Sequence, residues 1–416
     1  MTMASFRHTV AALSLLALAC LPLTAATTYY FDVNGSDPGF GSPSGTYSAT
    51  AANWNYQADG MGTPVGLTNN VPKMIFGVSA GDFAGATFTV NMDGSQFPWE
   101  GLEINSTSAD VTLIGTANKY LGASQTWLVA AGSTLTQAQT WNGGGLNYDN
   151  TPLALSGGGT INFQTAIGYN STATITQNGP TVNLQSAGRT DRNQGGYTLS
   201  SGTLNFANAT SANAFQALTS GRLITLNGGI VDNTSGSAMT LATGAGAYNI
   251  GGSFTFAGSS DMSLGTGAVS LSGAPTVTVA AGTLTLGGAV SGSSGLTKAG
   301  PGTLVLNGQV SYGGATTVDE GLLVFENNSG STYTYNGGNL FINNGSTLRF
   351  TRSGSSDRYD LSGKTFTFGS TGGNTLDTSS GLNFVAWSAN TFRTTGGAQN
   401  FITGSSGMNI NSGVID

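Results

Sequence analysis

The feature that most constrains this chain is a short strand-and-turn cycle that returns at a nearly fixed interval. Ala130-Ala-Gly-Ser-Thr-Leu135 recurs as Ala280-Ala-Gly-Thr-Leu284. Gly159-Thr-Ile161, Gly202-Thr-Leu204, Gly302-Thr-Leu304 and Gly345-Ser-Thr-Leu348 share the same glycine, polar, apolar start. Leu284, Leu304 and Leu323 are spaced by 20 and 19 positions. Between these points the chain reads as short β-prone runs, such as Thr303–Leu306, Ala315–Val318 and Leu322–Phe325, punctuated by Gly300-Pro-Gly302, Asn307-Gly308 and Gly321. No run holds a 3.6-residue apolar period long enough for a helix. A supersecondary unit of about 20 residues is the size of one solenoid coil. The expected fold is therefore all-β, a right-handed parallel β-helix or solenoid. Alternation such as Thr203-Leu-Asn-Phe206 sends one set of side chains inward and the other to solvent. An even period of about 20 residues would give roughly 20 coils.

Composition supports this reading. Charged residues are only 7% of the chain, against roughly a quarter in ordinary soluble proteins. Disorder requires low hydrophobicity with high net charge, whereas here hydrophobic residues are 38% and the net charge is −7. In a parallel solenoid equivalent residues stack about 4.8 Å apart. Like charges at that distance repel by about 1 kcal/mol in water and several times more at a protein surface. Stacked Thr, Ser and Asn hydrogen-bond along the ladder instead.

One copy of the cycle carries a resemblance. Gly295, Leu296, Thr297 and Lys298, then Gly300, Gly302, Thr303 and Leu304, followed by Leu306, Tyr312, Gly314, Thr316-Thr-Val318, Gly321 and Leu323-Val324, are similar to the autotransporter-associated β-strand repeat of bacterial passenger regions. Gly313 and Ala315 depart from it, standing where the repeat more often has Thr and Gly. The clear copy covers residues 295–325. The resemblance implies a surface or outer-membrane-associated passenger, an adhesin or architectural protein. It implies no chemistry, because the repeat is structural.

Residues 1–26 read as a secretory signal peptide. Arg7 supplies the positive end, Val10–Leu21 the apolar stretch, and Leu23-Thr-Ala-Ala26 a small-residue cleavage site after Ala26. The apolar run is shorter than the roughly 20 residues of a membrane span, so no transmembrane segment is expected in the mature chain. Ala17-Leu-Ala-Cys20 approaches a lipobox, but apolar sequence continues past the Cys. Residues 27–130 are expected to form an N-terminal cap with early coils or a small flanking β-domain. The repeats follow over 131–416. Thr27–Asn55, with aromatics at both ends, resembles the starts of proteins of the same repeat class. A solenoid needs such a cap because its first coil exposes a strand edge. The last residues begin another coil and stop, which suits a piece of a longer surface protein.

The inventory excludes most catalysis. The only His (His8) and the only Cys (Cys20) lie in the signal peptide. A mature chain without them has no Ser-His-Asp triad, no Cys-His dyad and no His-bearing zinc site. No basic stripe invites nucleic acid, and no cofactor or metal is expected. Asp32, Asn34, Ser36 and Asp37 could ligate calcium, but an Asx-turn in a surface loop is the stronger reading. Carboxylate chemistry remains open, since parallel β-helices also house polysaccharide lyases and hydrolases. Its candidates are Arg189 with Asp191, and the cluster Arg349, Arg352, Asp357, Arg358 and Asp360. Trp54, Trp99, Trp127, Trp141 and Trp387 could stack on sugars if exposed, or fill core positions. The function expected is that of a non-catalytic exported scaffold, secreted or on a bacterial cell surface. Its partner would be an extracellular polysaccharide or another surface component. A polysaccharide-degrading or carbohydrate-binding β-helix is the alternative.

Overall fold

The computed structural model describes residues 27–67, 72–93, 98–115, 120–139, 152–165, 174–185, 196–208, 223–241, 246–327, 332–352, 358–379, 383–386, 390–403 and 414–415. The signal-peptide reading and the cleavage at Ala26 lie outside them. Among the described residues every regular element is a β-strand. Strands stack in parallel, each on the strand one coil earlier, as a β-solenoid.

Three ladders run along the rod. The first starts at Thr27–Phe31 and Pro72–Phe76 and reaches Val310–Tyr312. The second is continuous from Gly45–Ser48 to Val414–Ile415. The third, among the described residues, begins at Met239–Thr240 and ends at Asn400–Thr403. Ile175–Leu184 and Tyr197–Phe206 are long enough to serve the first ladder with one half and the second with the other. Beyond Tyr312 the first side breaks and resumes as a separate sheet of Thr332–Thr334, Arg358–Asp360 and Asn383–Ala386.

The strands form where alternation and turn glycines agree. On the second ladder Phe88, Val111, Leu135, Ile161, Val182, Leu204, Val231, Phe256 and Val279 stack in one inward column, all buried. On the third ladder Met262, Leu284, Leu304, Leu323, Leu348 and Leu376 do the same. A column lets each side chain cover its neighbours on both sides, so the rod buries one continuous core without a globular interior.

Coil length is not constant, which corrects the even period of about 20. Steps along the third-ladder column are 20 from Leu284 to Leu304 and 19 to Leu323, then 25 to Leu348 and 28 to Leu376. The rod therefore has fewer coils than an even period gives. Added residues enter at the corners, where they do not disturb pairing.

At the amino-terminal end Trp54–Asn55 pairs antiparallel with Thr27–Phe31, on the edge opposite Pro72–Phe76. Trp54 also bridges to Val65. Beneath them Phe31 stacks on Phe88 at 4.9 Å and meets Trp54 edge-on at 5.2 Å. Strands through residues 72–114 belong to the same two ladders as the later coils.

Candidate functional site

The glycines of the 295–325 copy are set by stacked corners. Gly300 has φ +78°, and a Cβ there would lie 2.5 Å from the Val279 carbonyl oxygen of the coil before. Gly321 has φ +70° and faces the Gly300 and Gly302 carbonyls in the same way. Gly295 and Gly314 are equally tight, 2.3 Å from Ala315 O and 2.2 Å from Gly295 N for an added Cβ. Gly313 differs: its Cβ would meet Ser293 O only at 3.4 Å.

Leu296 and Leu304 point inward, while Thr297 and Thr303 lie on the outer face. Lys298 does not follow the pattern of a solvated charge. It sits in an inward column between Val277 and Val318 and is fully buried. Its ammonium donates to the carbonyls of Ala299 at 2.9 Å, Gly300 at 2.6 Å and Glu320 at 3.0 Å. Three N–H groups meet three acceptors, all at two successive corners. Burial pulls its pKa down to about 8, and the Glu320 carboxylate opposes that shift. The lysine thus ties its own corner to that of the next coil.

Tyr312 begins a buried chain of hydroxyls inside the core. Its hydroxyl meets Thr316 Oγ1, which lies 2.7 Å from the Tyr335 hydroxyl. Burial pushes the Tyr312 phenol up to about 12. Tyr335 and Tyr333 are also held well above the usual phenol range by burial. These side chains fill the step where the first side breaks and the coil widens.

The catalytic candidates are dispersed. Arg189 and Asp191 lie outside the described residues, as does Asp357. Arg349 on the third ladder faces Asp377 one coil later, with Nε 2.6 Å from the carboxylate. Burial raises the Asp377 pKa, but the Ser379 hydrogen bonds and Arg349 outweigh it and hold the group below the usual range. Asp360 lies in the separate sheet and accepts from Ser362 N and Oγ. Arg358 heads that same strand, and Arg352 ends the third-ladder strand Thr347–Arg352. The cluster seen in sequence is thus split between two sheets.

The calcium-type loop is used otherwise. Asp32 is fully buried, not on the surface, and accepts from Asn34 N at 3.1 Å and Asn55 Nδ2 at 3.0 Å. Asn34 turns its amide to the carbonyls of Asp37 and Pro38. Trp54 and Trp127 are fully buried, so neither is a sugar platform. Trp99 lies on a first-ladder strand, and Trp141 and Trp387 fall outside the described residues.

Sequence reading missed a cleft of about 220 Å³ at the start of the third ladder. Thr240, Ser263 and Thr285, stacked in one column, line it together with Asp261 and Thr283, whose backbone N–H donates to the Asp261 carboxylate at 2.7 Å. Asp261 is the only carboxylate in its lining, whereas glycoside hydrolysis ordinarily needs two. No motif in the sequence marks Asp261.

Residues 296–325 match the passenger-associated-transport-repeat. This stretch lies within the copy singled out by its glycines and supplies strands to all three ladders. The repeat and the solenoid together fit an autotransporter passenger-type repeat protein. Neither curated proteins nor solved structures gave a match to the chain. The passenger-associated repeat is thus an ordinary coil of a longer rod, continuous with coils that lack its full motif. No helix among the described residues is long and apolar enough to cross a membrane.

Proposed function

We propose that this chain is a non-catalytic bacterial surface or secreted scaffold that works in adhesion or cell-surface architecture. One observation carries the reading: the passenger-associated repeat is built into a ladder that continues on both sides of it. A rod of this kind holds its faces at fixed spacing over a long distance, which suits contact with an extended partner. In this reading residues 1–26 direct export, residues 27–55 close the first coil, and residues 131–416 supply the repeats.

The dispersal of Arg349, Asp360 and Asp261 over separate sites supports the non-catalytic part. The test is twofold. On intact cells producing the full chain, protease added outside should digest it, and intracellular confinement would refute the surface reading. Purified folded protein should release no new reducing ends from acidic or neutral polysaccharides. Release above a boiled control would refute the scaffold reading and favour a degrading enzyme.

A further inference from the structure

The outward side of the second ladder holds a regular polar lattice. Thr134, Thr160, Thr181 and Thr203 stack in one column, and Thr136, Asn162, Asn183 and Asn205 stack two residues along in the next. Neighbours in a column are about 4.8 Å apart and the columns about 7 Å apart. All eight side chains are half-buried in the face.

The two columns differ in how their polar groups are spent. Asn183 Nδ2 donates to Asn162 Oδ1 at 2.7 Å, Asn205 Nδ2 donates to Asn183 Oδ1 at 2.7 Å, and Asn162 Nδ2 reaches Thr136 Oγ1 at 3.3 Å. This ladder fixes the amides in one rotamer and leaves each with a second N–H and a second lone pair. The four hydroxyls beside it have no protein partner among the described residues. Some outward hydroxyls elsewhere on the rod are engaged internally, as Ser156 is with Trp127 O and Ser201 with Asn178. The lattice carries no charge. Asp110 bounds it on one side and Asp232 on the other.

We propose that this Thr/Asn face binds the ordered surface of an uncharged, hydroxyl-rich polysaccharide laid along the rod. The proposal rests on the surface-scaffold reading and names its partner class. Charge selects the partner: the face is neutral and the chain carries −7 overall, so an acidic polymer is repelled. Flatness selects its form. A short soluble sugar is held by a cleft or an aromatic platform, whereas these two columns consist of Thr and Asn alone. Each hydroxyl contact gains little over water, so affinity must come from many contacts at matched spacing to a partner already ordered.

The test mixes the full folded chain with microcrystalline cellulose, chitin and curdlan, with a calcium alginate gel as the acidic comparison, and measures the bound fraction. Retention is expected on at least one neutral polymer and not on alginate. The triple variant Thr160→Val, Thr181→Val, Thr203→Val keeps strand shape and removes three hydroxyls. It should bind at least about tenfold more weakly. Ser270→Val with Ser291→Val, on the exposed column of the first ladder, should change nothing. If the triple variant does not fold, Thr181→Lys is measured instead and should also weaken binding. Absence of retention on every neutral polymer overturns the proposal. So does unchanged binding by the face variants, retention on alginate alone, or partition into growing ice without polymer binding. None of these outcomes bears on external protease sensitivity, so the scaffold reading fails or stands separately.

Discussion

Two glycines eight residues apart should respond oppositely to the same change. At Gly321 an alanine Cβ would lie 2.4 Å from Gly300 O and 2.6 Å from Gly302 O, with φ at +70°. The left-handed backbone costs a non-glycine residue about 1–2 kcal/mol. The overlap is with backbone of the preceding corner, which cannot rotate away, and overpacking of this kind adds about 1–3 kcal/mol. Gly321→Ala should therefore destabilise by about 2–5 kcal/mol. At Gly313 the nearest atom to a Cβ is Ser293 O at 3.4 Å, and φ is not in the left-handed region. Gly313→Ala should be neutral or stabilise by about 0.4–1 kcal/mol through the unfolded chain. Urea denaturation of the full chain, followed by circular dichroism, gives both values if each variant keeps the parent slope. Equal losses in the two variants, or an unaffected Gly321→Ala, would refute the stacked-corner account.

Stability should rise with pH from about 8 towards 10, because the unfolded chain binds a proton at Lys298 that the folded chain has released. Above 10 it should fall, since Tyr312, Tyr333, Tyr335 and Tyr197 stay protonated when folded. Lys298→Met should abolish the rise and keep the fall in denaturation profiles at stepped pH. Leu304→Ala, in the middle of the third-ladder column and fully buried, should cost about 2–5 kcal/mol by the same denaturant assay. Arg349→Ala leaves Asp377, only 4% exposed, without its cation. A cost of about 1–2 kcal/mol is expected, between that of exposed and of buried pairs. The Asp377 pKa, read by NMR, should move upward.

Much of the site was legible in the sequence because it is made of local signals. The glycines at 295, 300, 314 and 321 stand where corners stack, and the runs Thr303–Leu306, Ala315–Val318 and Leu322–Phe325 match strands of the ladders. Lys298 was visible as a motif residue but not as a buried one. Its neighbours in the column, Val277 and Val318, are 21 and 20 positions away. Its acceptor at Glu320 belongs to the next corner. The Arg349–Asp360 cluster failed for the converse reason: residues close in sequence are sent to different sheets when a corner lies between them.

The sequence by itself determined the strand-and-turn rhythm, the inward and outward alternation, and the absence of His and Cys after residue 26. These depend on the period of two along a strand and on which residues tolerate a tight corner, both properties of a few adjacent positions. Only the tertiary structure decided which coil each strand lies on, where the third ladder begins, and how coils of 19 and 28 residues share one column. Those follow from pairing between segments a whole coil apart, where the corner can lengthen without changing the register that the inward columns enforce.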